Sequence, residues 1–148
     1  MTRFCVDTSA WHRATDPRVA AAWRRHLEAD ELVICSQVRL EILFSARSSE
    51  DYDALAQELS GLPTIPIDAS TFDRALEVQQ LLAHIGGLHH RSVKTADLII
   101  AAAAEAAQAT VLHYDSDYDR IAELTSQGAQ WIAPPGSLRG AAGPTDSF

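Results

Sequence analysis

Five carboxylates in this 148-residue chain sit at positions where strands end or helices begin: Asp7, Glu41, Asp97, Asp115 and Asp117. Asp7 closes the first apolar run, Phe4-Cys5-Val6. Asp115 and Asp117 follow the run from Thr110 to Tyr114, while Glu41 and Asp97 lie early in apolar helical stretches. If these elements share one edge of a sheet, the acids meet. Anions held that close either pay a large repulsion or take up protons. A cation removes the conflict, and ligands made only of oxygen suit a hard octahedral ion, Mg²⁺ or Mn²⁺. No Cys/His spacing supports zinc. One or two such ions would serve hydrolysis of a phosphodiester. Thr8 and Ser9 could donate hydrogen bonds to a carboxylate or to water there, and Asp97, in a first helical turn, gains about 0.3–1 kcal/mol from the helix dipole for its ionised form.

Each acid alone has an ordinary explanation. Asp-Thr-Ser after a strand makes a turn and a cap, a first-turn aspartate answers the helix dipole, and Asp115 and Asp117 suit a loop that caps the next helix. Glu41 says more, because a charge among Leu40, Ile42, Leu43 and Phe44 must reach solvent or find a partner. The conjunction carries the reading.

The elements that must position these acids alternate between short apolar runs and helical patterns, which predicts an α/β fold with a mainly parallel sheet. Strands are expected at Arg3 to Val6, Leu32 to Cys35, Thr64 to Ile67 (at an edge, because of Pro66), Thr110 to Tyr114 and Trp131 to Ala133. Helices are expected from Ser9 to Arg13, from an Asp16 cap with Pro17 in the first turn to about Ala29, and after Ser36 as a largely buried helix bearing Glu41. Further helices are expected from Ser48-Ser49 to Gly61, from Ser70 to Gly86-Gly87, from Thr95 through Ala107, and from Tyr118 to Gln127. Parallel strands deliver their C-terminal ends to one edge, so the acids converge there.

The length suits one domain, and 47% hydrophobic with 22% charged residues is the balance of a folded globular chain. The boundary is placed at residue 133, with 134–148, rich in Gly, Ala and Pro, as a loose tail. No window has the roughly 18 uncharged apolar residues of a membrane span, and the N-terminus meets Asp7 too early for a signal peptide, so a cytoplasmic protein is expected. Cys5 and Cys35 read as buried free thiols. The net charge of −8 argues against binding nucleic acid through overall charge. That objection weakens if several of the acids hold cations.

Four segments carry a family resemblance: Phe4-Cys5-Val6-Asp7-Thr8-Ser9-Ala10; Glu41 in its helix; Asp97-Leu98-Ile99-Ile100-Ala101-Ala102; and Leu112-His113-Tyr114-Asp115-Ser116-Asp117-Tyr118 with Ile121-Ala122. In order and spacing the chain resembles a PIN domain of the VapC type, the toxin half of a toxin–antitoxin pair, over about Phe4 to Trp131. The resemblance implies a three-layer α/β/α domain with a four- to five-stranded sheet and a Mg²⁺ or Mn²⁺ site lined by Asp7, Glu41 and Asp97. The fourth acid comes from the 115–117 segment, Asp115 being favoured because it leaves the strand directly. It further implies a homodimer, an endoribonuclease acting on tRNA or rRNA, and an antitoxin that covers the site. A catalytically idle RNA- or protein-binding module and a DNA nuclease are the alternatives.

Arg91 and Lys94, in the loop before Asp97, are candidate contacts to RNA phosphates. His89 and His90 lack a metal-ligand pattern. Trp11 and His12 could stack on an unpaired base, though packing or a dimer contact is the simpler role for Trp11. A Rossmann cofactor site is excluded, since Asp-Thr-Ser-Ala-Trp-His stands where a glycine-rich turn would be required. A dehalogenase-like phosphatase would need an acid at Ser9.

Overall fold

A computed structural model describes residues 2–138. Its sheet has five parallel strands in the order β3-β2-β1-β4-β5. They are β1 (Phe4–Val6), β2 (Leu32–Cys35), β3 (Thr64–Ile65), β4 (Thr110–His113) and β5 (Ala129–Trp131). Every residue of β1 and β2 is buried. Because successive side chains of a strand point to opposite faces, both faces of the sheet are covered, giving three layers. The helices are α1 (Thr8–Trp11), α2 (Ala20–Glu28), α3 (Ser36–Phe44), α4 (Ser49–Leu59), α5 (Ala69–Ile85), α6 (Thr95–Ala106) and α7 (Asp117–Leu124), with a 3₁₀ turn at His89–Arg91. No described helix is long and apolar enough to cross a membrane.

The strand order places the functional edge. From β1 the chain steps outward through β2 to β3, then returns to the other side of β1 with β4 and continues to β5. The direction reverses between β1 and β4, and the crevice beyond the strand ends at such a point is where open parallel sheets bind ligands. Asp7 leaves β1 there and Asp115 leaves β4. The two ends are stitched together: the Asp7 N–H donates to Leu112 O at 3.0 Å, and the Tyr114 N–H donates to Ser9 Oγ at 2.8 Å.

Several element boundaries differ from the pattern-based expectation. The helix expected from Asp16 begins at Ala20, and turns fill 13–19 instead. The Asp16 carboxylate accepts the Arg18 backbone N–H and its guanidinium, at 2.7–3.0 Å, rather than capping a helix. Arg18 then reaches the carbonyls of Ser137 and Leu138. Helix α3 is not largely buried. Only Val38 and Ile42 are fully buried, since the body of the protein takes one i,i+4 face of a nine-residue helix; Leu43 is half-buried against the core, and Leu40 and Phe44 stay 66% and 91% exposed. Helix α5 is capped by Asp68 rather than Ser70, through a reciprocal pair of hydrogen bonds with Thr71. Helix α7 stops at Leu124 because the Gln127 amide donates to Ala109 O and Gly128 O, drawing the chain into β5 at 129–131, earlier than expected.

From Pro134, where a loose tail is expected, residues 134–138 are described. Leu138 is buried and its N–H donates to the Tyr114 hydroxyl at 3.1 Å. Residues 139–148 lie outside the described part.

Candidate metal centre

Three carboxylates, Asp97, Asp115 and Asp117, bring one oxygen each to within 4.8 Å of one another. Asp97 is in the first turn of α6, Asp115 in the loop after β4, and Asp117 is the first residue of α7. The loop holds its own shape: the Asp117 N–H donates to Asp115 Oδ1 at 2.9 Å, and the Asp115 N–H to His113 Nδ1 at 3.1 Å. Since Nδ1 of His113 accepts, its proton is on Nε2, and burial lowers the pKa of this ring.

Asp7 joins the group through Tyr118. The buried tyrosine hydroxyl donates to Asp7 Oδ1 at 2.5 Å and lies 3.2 Å from Asp97 Oδ1. Asp7 Oδ2 accepts the N–H of Ser9 at 3.0 Å and its hydroxyl at 2.5 Å, which caps α1 and orients the carboxylate together. Glu41 stands one step further out. Its Oε1 accepts from the Thr8 hydroxyl and its Oε2 from Gln37 at 3.1 Å, so this half-buried acid has partners but is not among the three that converge most tightly.

Two cations face the acids. Lys94 Nζ is 2.8 Å from Asp115 Oδ2, 3.1 Å from Asp117 Oδ2 and 3.5 Å from Asp97 Oδ2, while Arg120 is 3.5 Å from Asp117 Oδ1. The Lys94 backbone N–H also donates to Asp117 Oδ2, at 3.0 Å. Arg91, in the 3₁₀ turn, is exposed.

Burial pushes the Asp97 carboxyl up to about 9, with its hydrogen bond to Asp117 and the charges of Asp7 and Asp115 adding to the rise and Lys94 opposing it. The helix dipole therefore does not keep Asp97 ionised. A fraction of a kcal/mol at a helix start is small beside the cost of a buried charge among other acids. Burial acts upward on Asp117 as well, but the hydrogen bonds from Asp97 and Lys94 outweigh it and hold this group below the usual carboxylate range. Partial burial works against charge on Lys94, and the three aspartates overcome it to raise its pKa.

Asp97 Oδ2 is buried, and no N–H or O–H of the described residues donates a hydrogen bond to it. A buried carboxyl oxygen that no donor reaches, beside two more carboxylates, fits an oxygen-ligated hard cation once the proton of Asp97 is lost. Asp97, Asp115 and Asp117 are the nearest donors, with Asp7 next to them.

Tyr118 is the contact that sequence reading missed. In the sequence it closes one of the resemblance segments and opens a helix, and an aromatic residue there looks like core until the hydroxyl is seen between two acids. Arg120 was likewise unmarked.

An oxygen-only acid cluster at the switch point of a five-stranded parallel sheet defines a class of α/β domain whose strand ends suit a hard cation. Residues 4–124 match the PIN domain family. The chain is 61% identical to Ribonuclease VapC18 of Mycobacterium tuberculosis over 91% of its own length and 98% of that protein. It is 39% identical to Ribonuclease VapC21 of the same species over 92% and 98%. Among solved structures, a chain of the DNA-bound VapBC complex of Salmonella typhimurium superposes with a TM-score of 0.71 at 18% identity, covering 90% of this chain and 100% of that one. This chain belongs to the PIN-domain family, within its VapC group.

Proposed function

We propose that this protein is a Mg²⁺- or Mn²⁺-dependent endoribonuclease and the toxin of a toxin–antitoxin pair, cutting tRNA or rRNA in the cytoplasm and so stopping translation and growth. The observation that carries the reading is the convergence of Asp97, Asp115 and Asp117 beside Asp7, with Asp97 Oδ2 left without a donor. The names of the relatives, both ribonucleases, point the same way.

Asp97, Asp115 and Asp117, with Asp7 beside them and Glu41 at the margin, would hold the ion. When bound, such an ion would supply Lewis acidity toward a phosphate and lower the pKa of a bound water. The protein's own groups set the geometry. Ser9 and Tyr118 fix both oxygens of Asp7, Thr8 and Gln37 fix Glu41, and His113 with the Asp117 N–H fixes the turn carrying Asp115. Asp97 holds a proton that must leave before its carboxylate can bind a cation. Arg91 and Lys94 flank the cluster as contacts for RNA phosphates, a role that local cations can play despite the overall negative charge.

The partner is an antitoxin, in keeping with the VapBC family of toxin–antitoxin systems to which a solved structural neighbour belongs, and the protein self-associates as a homodimer. Exposed Leu40, Phe44 and Tyr52 supply apolar surface for such contacts.

Purified protein, free of antitoxin, incubated with structured RNAs and with DNA of matched sequence in Mg²⁺ or Mn²⁺ tests the activity. Cleavage of RNA by the wild type, lost with EDTA and in Asp7→Asn and Asp97→Asn, supports it. Equal cleavage by the variants would sink the mechanism, and preference for DNA would move the substrate.

A further inference from the structure

Lys94 sits where a cation would be expected to go. Its ammonium touches the same three carboxylates that approach within 4.8 Å of one another, at 2.8, 3.1 and 3.5 Å from Asp115, Asp117 and Asp97. A hard divalent ion sits about 2.0–2.2 Å from its oxygens. An ammonium within hydrogen-bond reach of two of those oxygens and an ion bound to them cannot share so small a space, and their charges repel.

The lysine also fits the position imperfectly. It pairs with Asp115 and Asp117 but leaves Asp97 Oδ2 without a hydrogen bond. Its side chain is 65% exposed, so nothing confines the ammonium once a better cation arrives. The segment does not depend on it, because the Lys94 backbone N–H ties the start of α6 to Asp117 independently.

We propose that Lys94 is a tethered competitor for the divalent cation: its ammonium occupies the cation position among Asp97, Asp115 and Asp117 and must swing into solvent when the ion binds. Lys94 thereby sets the affinity of the centre, and the inference rests on the metal-centre reading above. The displaced ammonium remains on its tether beside the acids, available to a substrate phosphate only after the cation is in place. In this way loading of the ion and capture of an anionic substrate are coupled through one side chain.

The test is calorimetric titration of Mn²⁺ into the full-length protein, comparing wild type, Lys94→Met, Arg91→Met and Asp97→Asn. Lys94→Met keeps the stem and the backbone tether and removes only the charge. It should bind Mn²⁺ about tenfold tighter than wild type, the equivalent of roughly 1.4 kcal/mol, and Mn²⁺ should raise its melting temperature further than it raises that of the wild type. Arg91→Met removes a positive charge from the same loop without a contact to the acids, and should change affinity less than about twofold, since exposed charges at a distance are screened.

Equal or weaker binding by Lys94→Met, with binding abolished in Asp97→Asn, overturns the role of Lys94 and leaves the metal centre standing. A gain in Arg91→Met as large as that in Lys94→Met reduces the effect to general charge and overturns it as well. Binding by Asp97→Asn as tight as wild type, or no binding by any of the four proteins, removes the metal centre and this inference with it.

Discussion

The hydroxyl of Tyr118 donates a 2.5 Å hydrogen bond to Oδ1 of Asp7, joining the second residue of α7 to the end of β1 across the floor of the acid cluster. The ring packs against His113, centroids 4.9 Å apart, so Tyr118→Phe would keep the packing and delete one hydroxyl. A hydrogen bond to a buried charged group is worth about 1.5–3 kcal/mol, and the variant should lose stability in that range by urea denaturation. RNA cleavage should fall with it, because one oxygen of Asp7 is released from its fixed direction. An unchanged urea midpoint would show that the contact contributes no net stability.

Asp97 makes the pH dependence run opposite to that of an ordinary salt-bridged acid. Its folded pKa of about 9 lies above the ordinary aspartate value of 3.8, so between those limits the folded chain keeps a proton that the unfolded chain releases. Stability in EDTA is therefore greatest at the acid end for this group and declines as pH rises from 3.8 to about 9. Asp97→Asn cannot titrate, so it should flatten this decline and be more stable than wild type at pH 8 while losing cleavage. Thermal melts across pH 5 to 9.5 check it, and parallel curves for the two proteins would refute the assignment.

The acids were legible in the sequence because strand ends and helix starts can be read from apolar runs, and a parallel sheet sends those ends to one edge. Asp7, Asp97 and Asp115 needed nothing more. The charge state of Asp97 was not legible, because it depends on burial and on Asp7, Asp115 and Asp117 arriving from distant parts of the chain. Tyr118 shows the same limit from the apolar side: its position in the helical pattern predicts burial but not where its hydroxyl ends. Lys94 reads as a solvated loop cation until three carboxylates are placed around it. Arg18 moved the start of α2 through a contact two residues long, a competition that helix-start rules do not weigh.

Leu138 extends the structured chain past the last strand and should matter to the site. It is 4% exposed, its N–H meets the Tyr114 hydroxyl, and Arg18 binds the carbonyls of Ser137 and Leu138. Tyr114 in turn donates its backbone N–H to Ser9, which orients Asp7. Leu138→Ala should cost about 2 kcal/mol, the low end for a buried leucine, because the segment lies at the edge of the core. Truncation after Ala133 should cost at least as much by urea denaturation. A truncated protein as stable as the full chain would put the domain boundary at 133.

Phe44 offers the clearest surface prediction. It is 91% exposed on α3, next to Leu40 at 66%, and with Tyr52 on α4 also exposed the two helices carry more apolar side chain than the core absorbs. A large aromatic group left in water is a common anchor of an interface, where truncating it can cost 2 kcal/mol or more of binding. If the protein forms the proposed homodimer and does so through this face, Phe44→Glu should shift it from dimer to monomer in sedimentation velocity at micromolar concentration, with Asp97 and its neighbours unaffected as judged by Mn²⁺ titration. A variant that remains dimeric but no longer binds antitoxin would assign the face to the antitoxin. One that keeps both partners would leave Phe44 outside either interface.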